Sequence, residues 1–139
     1  MSGKTVHDIS TGDTASFAKT ITEHDVYAFA GITGDFNPVH INEEYAKESM
    51  FGARIAHGIL CAGLLSTVLG THLPGPGAIY LSQSLSFRKP VFLGDTVKAE
   101  VEAVEIITDK NRVRFATRCY NQDGDIVAEG ESLLMPRKA

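Results

Sequence analysis

Hydrophobic positions follow two different rhythms along this chain. Over residues 97–108 valines and isoleucines alternate with charged residues, and 113–121 and 126–135 show the same period of two. That pattern predicts three strands, joined by hairpin signals at Asp109-Lys110-Asn111 and Asp123-Gly124. Residues 79–87 alternate toward their end and predict another strand, interrupted by Lys89-Pro90, while partial alternation over 12–20 predicts a first one. The stretch between is helical in character. Thr22, with Asp25 three residues on, approximates a capping box for a helix over about 23–31, whose inward face is Val26, Phe29 and Ala30. Asn42 opens a second short helix over about 43–48, with Glu43 and Glu44 in its first turn. A third helix runs from the lead-in at 54–58 to about Leu69, and Pro74-Gly75-Pro76-Gly77 breaks the chain after it.

No Asp, Glu, Lys or Arg occurs from Ile55 to Phe87. The apolar part is interrupted by His57, Gly58, Gly63, Ser66, Thr67, Gly70 and His72, too polar and glycine-rich a run for a membrane span. It predicts a helix buried on all sides within the protein. One strand, two shorter helices and then four antiparallel strands remain to be arranged around it. A helix without a polar face needs apolar cover, and a strongly curved antiparallel sheet supplies it. The expected class is α+β, the hot-dog fold, as one domain over residues 1–139.

Composition narrows the function only a little. A net charge of −4 and the absence of any Lys/Arg run argue against a nucleic-acid partner. Cys61 and Cys119 form no C-x-x-C pair and suit reduced, packed thiols, and the polar N-terminus (Lys4, His7, Asp8) carries no secretory signal. A cytoplasmic protein is expected.

The chemistry concentrates at residues 33–40, T-G-D-F-N-P-V-H. In a helix Asp35 and His40 would point about 140° apart. Pro38 argues against a helix, lacking an N–H and pushing Asn37 toward extended geometry, and Gly34 is free to take a positive φ. A stiff turned loop would aim both side chains at one point, as an acid/base pair requires. The competing reading makes Asp35 or Asn37 a helix cap and His40 a packed histidine. His57-Gly58, at the predicted start of the apolar helix, offers free backbone N–H groups to an oxyanion, unless Gly58 only relieves crowding. Base, acid and oxyanion site are the three roles needed to add water across an α,β-unsaturated thioester. A serine-hydrolase reading lacks G-x-S-x-G, and a metal reading of Asp35, His40 and His57 lacks an H-x-x-x-H pair.

The run Phe29 to His40 with Ala46, then Ala56-His57-Gly58, the stretch from Tyr80 to Phe87, Pro90-Val91-Phe92 and Gly94-Asp95, resembles the R-specific enoyl-CoA hydratases (hydratase 2, or MaoC-like) over most of the chain. The short form is similar to bacterial hydratases that supply polyhydroxyalkanoate synthesis. The resemblance implies a hot-dog homodimer with its two sheets joined edge to edge, no cofactor and no metal, and an acyl-CoA thioester as substrate. It implies that Asp35 and His40 are the catalytic pair, that Asn37 supports the loop, and that the Gly58 amide, beside His57, polarises the thioester carbonyl. Ser66 falls where such enzymes carry a serine near the pair; the alternative is a hydroxyl bonded back to the Ala62 carbonyl. Asp35 as base with His40 as donor, and the reverse, both stay open. Leu65, Leu69 and residues 127–134 are candidates for the acyl pocket, though Leu65 and Leu69 fit plain core as well. Arg54, Arg88 and Lys89 suit CoA phosphates or an acidic carrier protein. Two other readings remain: a 3-hydroxyacyl-ACP dehydratase, and a non-catalytic acyl-CoA-binding module.

Overall fold

The computed structural model describes residues 2–139. In chain order the elements are β1 (Thr14–Thr20), α1 (Glu23–Thr33), α2 (Pro38–Ile41), α3 (Glu43–Lys47), α4 (Leu60–Thr71), β2 (Ile79–Gln83), β3 (Ser86–Phe87), β4 (Thr96–Ile107), β5 (Arg112–Tyr120) and β6 (Ile126–Met135). All strands pair antiparallel in one sheet of order β1-β4-β5-β6-β2, with β3 also on β6. The period-two pattern sets which face looks inward. In β5 Val113, Phe115, Thr117 and Cys119 are buried and alternate with half-buried residues. Register places Ala103, Val101 and Ala99 of β4 against Phe115, Thr117 and Cys119. Leu65, Val68 and Leu69 of α4 complete that core. Each such side chain contributes about 1.5–3 kcal/mol through burial. A bulge between Ala103 and Glu105 interrupts the β4–β5 ladder, and bulges sharpen the bend of a sheet. Cys61 and Cys119, far apart in sequence, meet in the core, where the Cys119 thiol lies 3.7 Å from the Cys61 carbonyl.

Three expectations are corrected. The strand predicted over 79–87 is two strands, because the Ser84 carbonyl dips toward Gly130 of β6, so close that a Cβ on Gly130 would stand 1.9 Å from its oxygen. The apolar helix starts at Leu60, after a tight turn in which the Leu60 and Cys61 N–H groups bond the His57 and Gly58 carbonyls. Nor is α4 enclosed on all sides. The sheet covers Cys61, Leu64, Leu65, Val68 and Leu69, while Gly63, Ser66 and Gly70 form an exposed stripe, continuous with Ile59 in the turn before them. The absence of charge reflected small residues on that face rather than burial. Among the described residues no helix is long and apolar enough to cross a membrane.

Candidate active site

Helix α1 carries the capping box expected of Thr22 and Asp25 and ends at Gly34, whose φ of 82° turns the chain sharply. Thr33 Oγ1 donates to the Phe29 carbonyl (2.8 Å) and accepts from the Asp35 N–H (3.2 Å), which fixes the backbone of the acid. Asp35 Oδ1 in turn accepts from the Asn37 N–H, and Asn37 Oδ1 from the Val39 N–H, both at 3.2 Å. Asn37 is thus the cap of α2, and Pro38 is its first residue. The expected loop therefore spans only the residues before Pro38: a proline at the first helical position gives up no hydrogen bond and arrives with a helical φ. Asp35 lies outside the helix and His40 inside it, which frees them from the angular separation a single helix would impose.

His40 is buried, and its Nδ1 lies 2.8 Å from the Ile55 carbonyl. A carbonyl only accepts, so Nδ1 carries the hydrogen and Nε2 keeps a lone pair. Burial pushes the His40 pKa below its ordinary 6.5, and His57 adds to this; the Ile55 bond and the Asp35 carboxylate act the other way. One carboxylate oxygen of Asp35 and one ring nitrogen each of His40 and His57 all lie within 4.8 Å of one another. A water at ordinary hydrogen-bond length, about 2.8 Å, fits between two acceptors so spaced.

These groups open onto a cavity of about 630 Å³. Phe51, Ile55, Ile59, Phe87, Val91 and Val127 make its wall largely apolar, and exposed Arg88 and Lys89 stand at its rim. The Gly58 N–H has no acceptor among the described residues, and the absence of a side chain lets the Phe87 ring close over it: a Cβ there would stand 2.9 Å from that ring. An unpaired N–H, an acceptor pair and an apolar slot form one site.

A profile of the family described as "MaoC like domain" matches residues 8–123. The chain belongs to the MaoC-like family. Among relatives of this MaoC-like chain is an (R)-specific enoyl-CoA hydratase of Rhodospirillum rubrum, 53% identical over 92% of this chain and 88% of the relative. A 3-hydroxybutyryl-CoA dehydratase of Methylorubrum extorquens is 49% identical over 94% of this chain and 83% of its own length. An R-hydratase structure from Pseudomonas aeruginosa, unliganded, superposes with a TM-score of 0.94 at 44% identity, covering 99% of this chain and 88% of that one. The fold is the hot-dog fold, as the strand and helix pattern led one to expect.

Within this MaoC-like chain the structure gathers Asp35, His40, His57 and Gly58 on one cavity and leaves other candidates off its wall. Asn37 acts from behind, as cap. Leu65 and Leu69 sit in the closed core, and Ser66 is exposed on the outer stripe of α4, because only Cys61 and the turn before it reach the cavity. The back-bond considered for Ser66 belongs to Thr67, which donates to the Gly63 carbonyl at 3.1 Å. Of residues 127–134 only Val127 reaches the wall. Asp35, His40 and His57 were also the candidate metal ligands. His57 Nε2 bonds the Asp35 carbonyl at 2.9 Å and His57 Nδ1 is sealed in protein, so two donors face the cavity, fewer than a zinc site takes.

The sequence offered Arg54 as a phosphate or carrier contact, and the structure gives it a different place. Rather than waiting for phosphate, its side chain turns inward: Nε donates to the His40 carbonyl at 2.7 Å, Nη1 to Glu23 at 2.6 Å, and the guanidinium lies 5.2 Å above the Tyr27 ring. An arginine in a polar lead-in carries no local signal of that direction. Met50 and Phe51 on the cavity wall were likewise unmarked, since they belong to no periodic segment.

Proposed function

We propose that this protein is an (R)-specific enoyl-CoA hydratase, a hydro-lyase that adds water reversibly to trans-2-enoyl-CoA to give (R)-3-hydroxyacyl-CoA. The observation that carries the reading is the convergence of the Asp35 carboxylate, the His40 imidazole and the unpaired Gly58 N–H on one largely apolar cavity. The relatives' names point to the same chemistry.

With Nδ1 committed to Ile55, both Asp35 and His40 Nε2 are acceptors at rest. A water between them spends its two hydrogens on the pair and turns a lone pair toward the substrate. As its oxygen bonds Cβ, one proton passes to the pair and the C=C electrons move toward the thioester oxygen. That oxygen accepts a hydrogen bond from the Gly58 N–H, which stabilises the enolate. The proton then passes from the pair to Cα. Neither group is a donor before it has received this proton, so His40 as donor must first have been, directly or through Asp35, an acceptor. Loss and gain from one pair favour addition of H and OH to the same face.

The test is hydration of crotonyl-CoA, followed by loss of the conjugated thioester absorbance, with chiral analysis of the product. Formation of the R product, falling by about 10²–10⁴-fold in Asp35→Asn and His40→Asn, is the expected result. Turnover of carrier-protein thioesters alone would reassign the protein as a dehydratase of those substrates. Binding without turnover on either carrier would leave an acyl-CoA-binding module.

A further inference from the structure

His57 was expected to meet the substrate, yet neither of its nitrogens is free to do so. The residue is 2% exposed. Nε2 lies 2.9 Å from the backbone carbonyl of Asp35, which makes it the protonated nitrogen. Nδ1 is enclosed and has no partner, so a hydrogen there would be a buried donor with nothing to receive it. The ring stacks on His40, with centroids 3.9 Å apart and planes at 30°. Phe29 of α1 meets the same ring at 4.8 Å and 52°. The next residue along the chain is Gly58, which lines the cavity and whose N–H has no acceptor among the described residues.

One side chain therefore touches the segment that carries Asp35, the ring of His40 and the helix preceding both, and is joined directly to the oxyanion donor. We propose that His57 is a positioning residue for the Asp35–His40 pair, an inference that rests on the hydratase reading above. Two properties are needed together: a flat face for the His40 ring to lie on, and an edge-on N–H for the Asp35 carbonyl. Phenylalanine supplies the face without the donor, glutamine the donor without the face, and leucine neither. Histidine combines them in one planar group, and the enclosed Nδ1 fixes which nitrogen bears the hydrogen. An error of about 1 Å in the placement of a reacting group is enough to lower a rate about 10²-fold, so the contacts of His57 act on kcat rather than on substrate affinity.

The experiment compares wild type with His57→Leu, His57→Gln and His57→Phe by steady-state kinetics on crotonyl-CoA, with circular dichroism to confirm folding. In parallel, ¹⁵N-histidine NMR of the wild type reads the tautomer of each ring. The expected result is a loss of about 10²-fold or more in kcat for His57→Leu with KM within about threefold, and intermediate losses for Gln and Phe. NMR should show Nε2–H at His57 and Nδ1–H at His40. If the leucine variant does not fold, the Gln and Phe variants and the tautomers carry the test. A kcat within twofold of wild type, a rise in KM with kcat intact, or an Nδ1–H tautomer at His57 overturns the inference alone. An inactive wild type overturns the hydratase reading, and this inference falls with it.

Discussion

His40 owes its placement to three neighbours supplied by distant parts of the chain: the Ile55 carbonyl that fixes its tautomer, the His57 ring it lies on, and Arg54, which holds the His40 carbonyl. Burial, reinforced by His57, makes its folded pKa lower than the 6.5 of an open imidazole. The sign follows directly. Below pH 6.5 the unfolded chain takes up this proton more readily than the folded one, so stability falls as pH drops through 6.5 toward the folded value. On the proposed hydratase mechanism activity runs with the neutral ring, so the acid limb of kcat/KM is expected below 6.5 in wild type. Thermal unfolding against pH, compared with His40→Asn, should show a shallower acid-side decline in the variant; parallel curves would remove His40 as the cause. That Asp35, His40 and Gly58 come together on one cavity was legible because their residue types carry chemistry and Pro38 constrains their geometry. The inward turn of Arg54 and the tautomer of His57 were not, because each is decided by partners more than ten residues away.

Among the elements, periodic pattern marked the strands and caps well. It failed where a backbone approach, rather than a side chain, decides the outcome. The run over 79–87 alternates as one strand would, but its Ser84 carbonyl is drawn against Gly130, splitting it into β2 and β3. Ser84 then bonds back to Glu131 from both its N–H and, through its hydroxyl, the Glu131 N–H. Phe87, which follows this break, is the ring that closes over Gly58. Gly130→Ala should therefore do two things. A methyl group forced to within 1.9 Å of a backbone oxygen must push the strands apart, lowering stability by about 1–3 kcal/mol. Since Phe87 moves with them, KM for the enoyl thioester should also rise. Urea unfolding with steady-state kinetics measures both, and an alanine variant matching wild type in both would show that the break is not held by this glycine.

At the scale of the whole molecule, the two ends of the sheet differ. The outer strand β1 is polar, with Thr14, Ser16, Lys19 and Thr20 along it. The other end, β2, exposes Ile79, Tyr80 and Leu81, and a groove of about 430 Å³ running past Ile59, Ala62 and Leu85 lies beside it. The small-residue stripe of α4, Gly63, Ser66 and Gly70, is exposed as well. An unpaired apolar edge is a liability unless something pairs with it. We propose that a second copy pairs there by a two-fold axis at β2, which would lay one β2 antiparallel to the other and make the two sheets one. Ser66, idle in the single chain, would then belong to a face between copies. Such an assembly would account for the exposure of Ser66 and the stripe in the single chain. Sedimentation should give about twice the 15.0 kDa of the chain. Leu81→Lys, which places a charge on that edge, should shift the protein toward 15.0 kDa and lower its activity, since Ile59 lines both this groove and the cavity that holds Asp35 and His40. A wild type that sediments as a single chain and turns over at full rate would show that the β2 edge is protected in some other way.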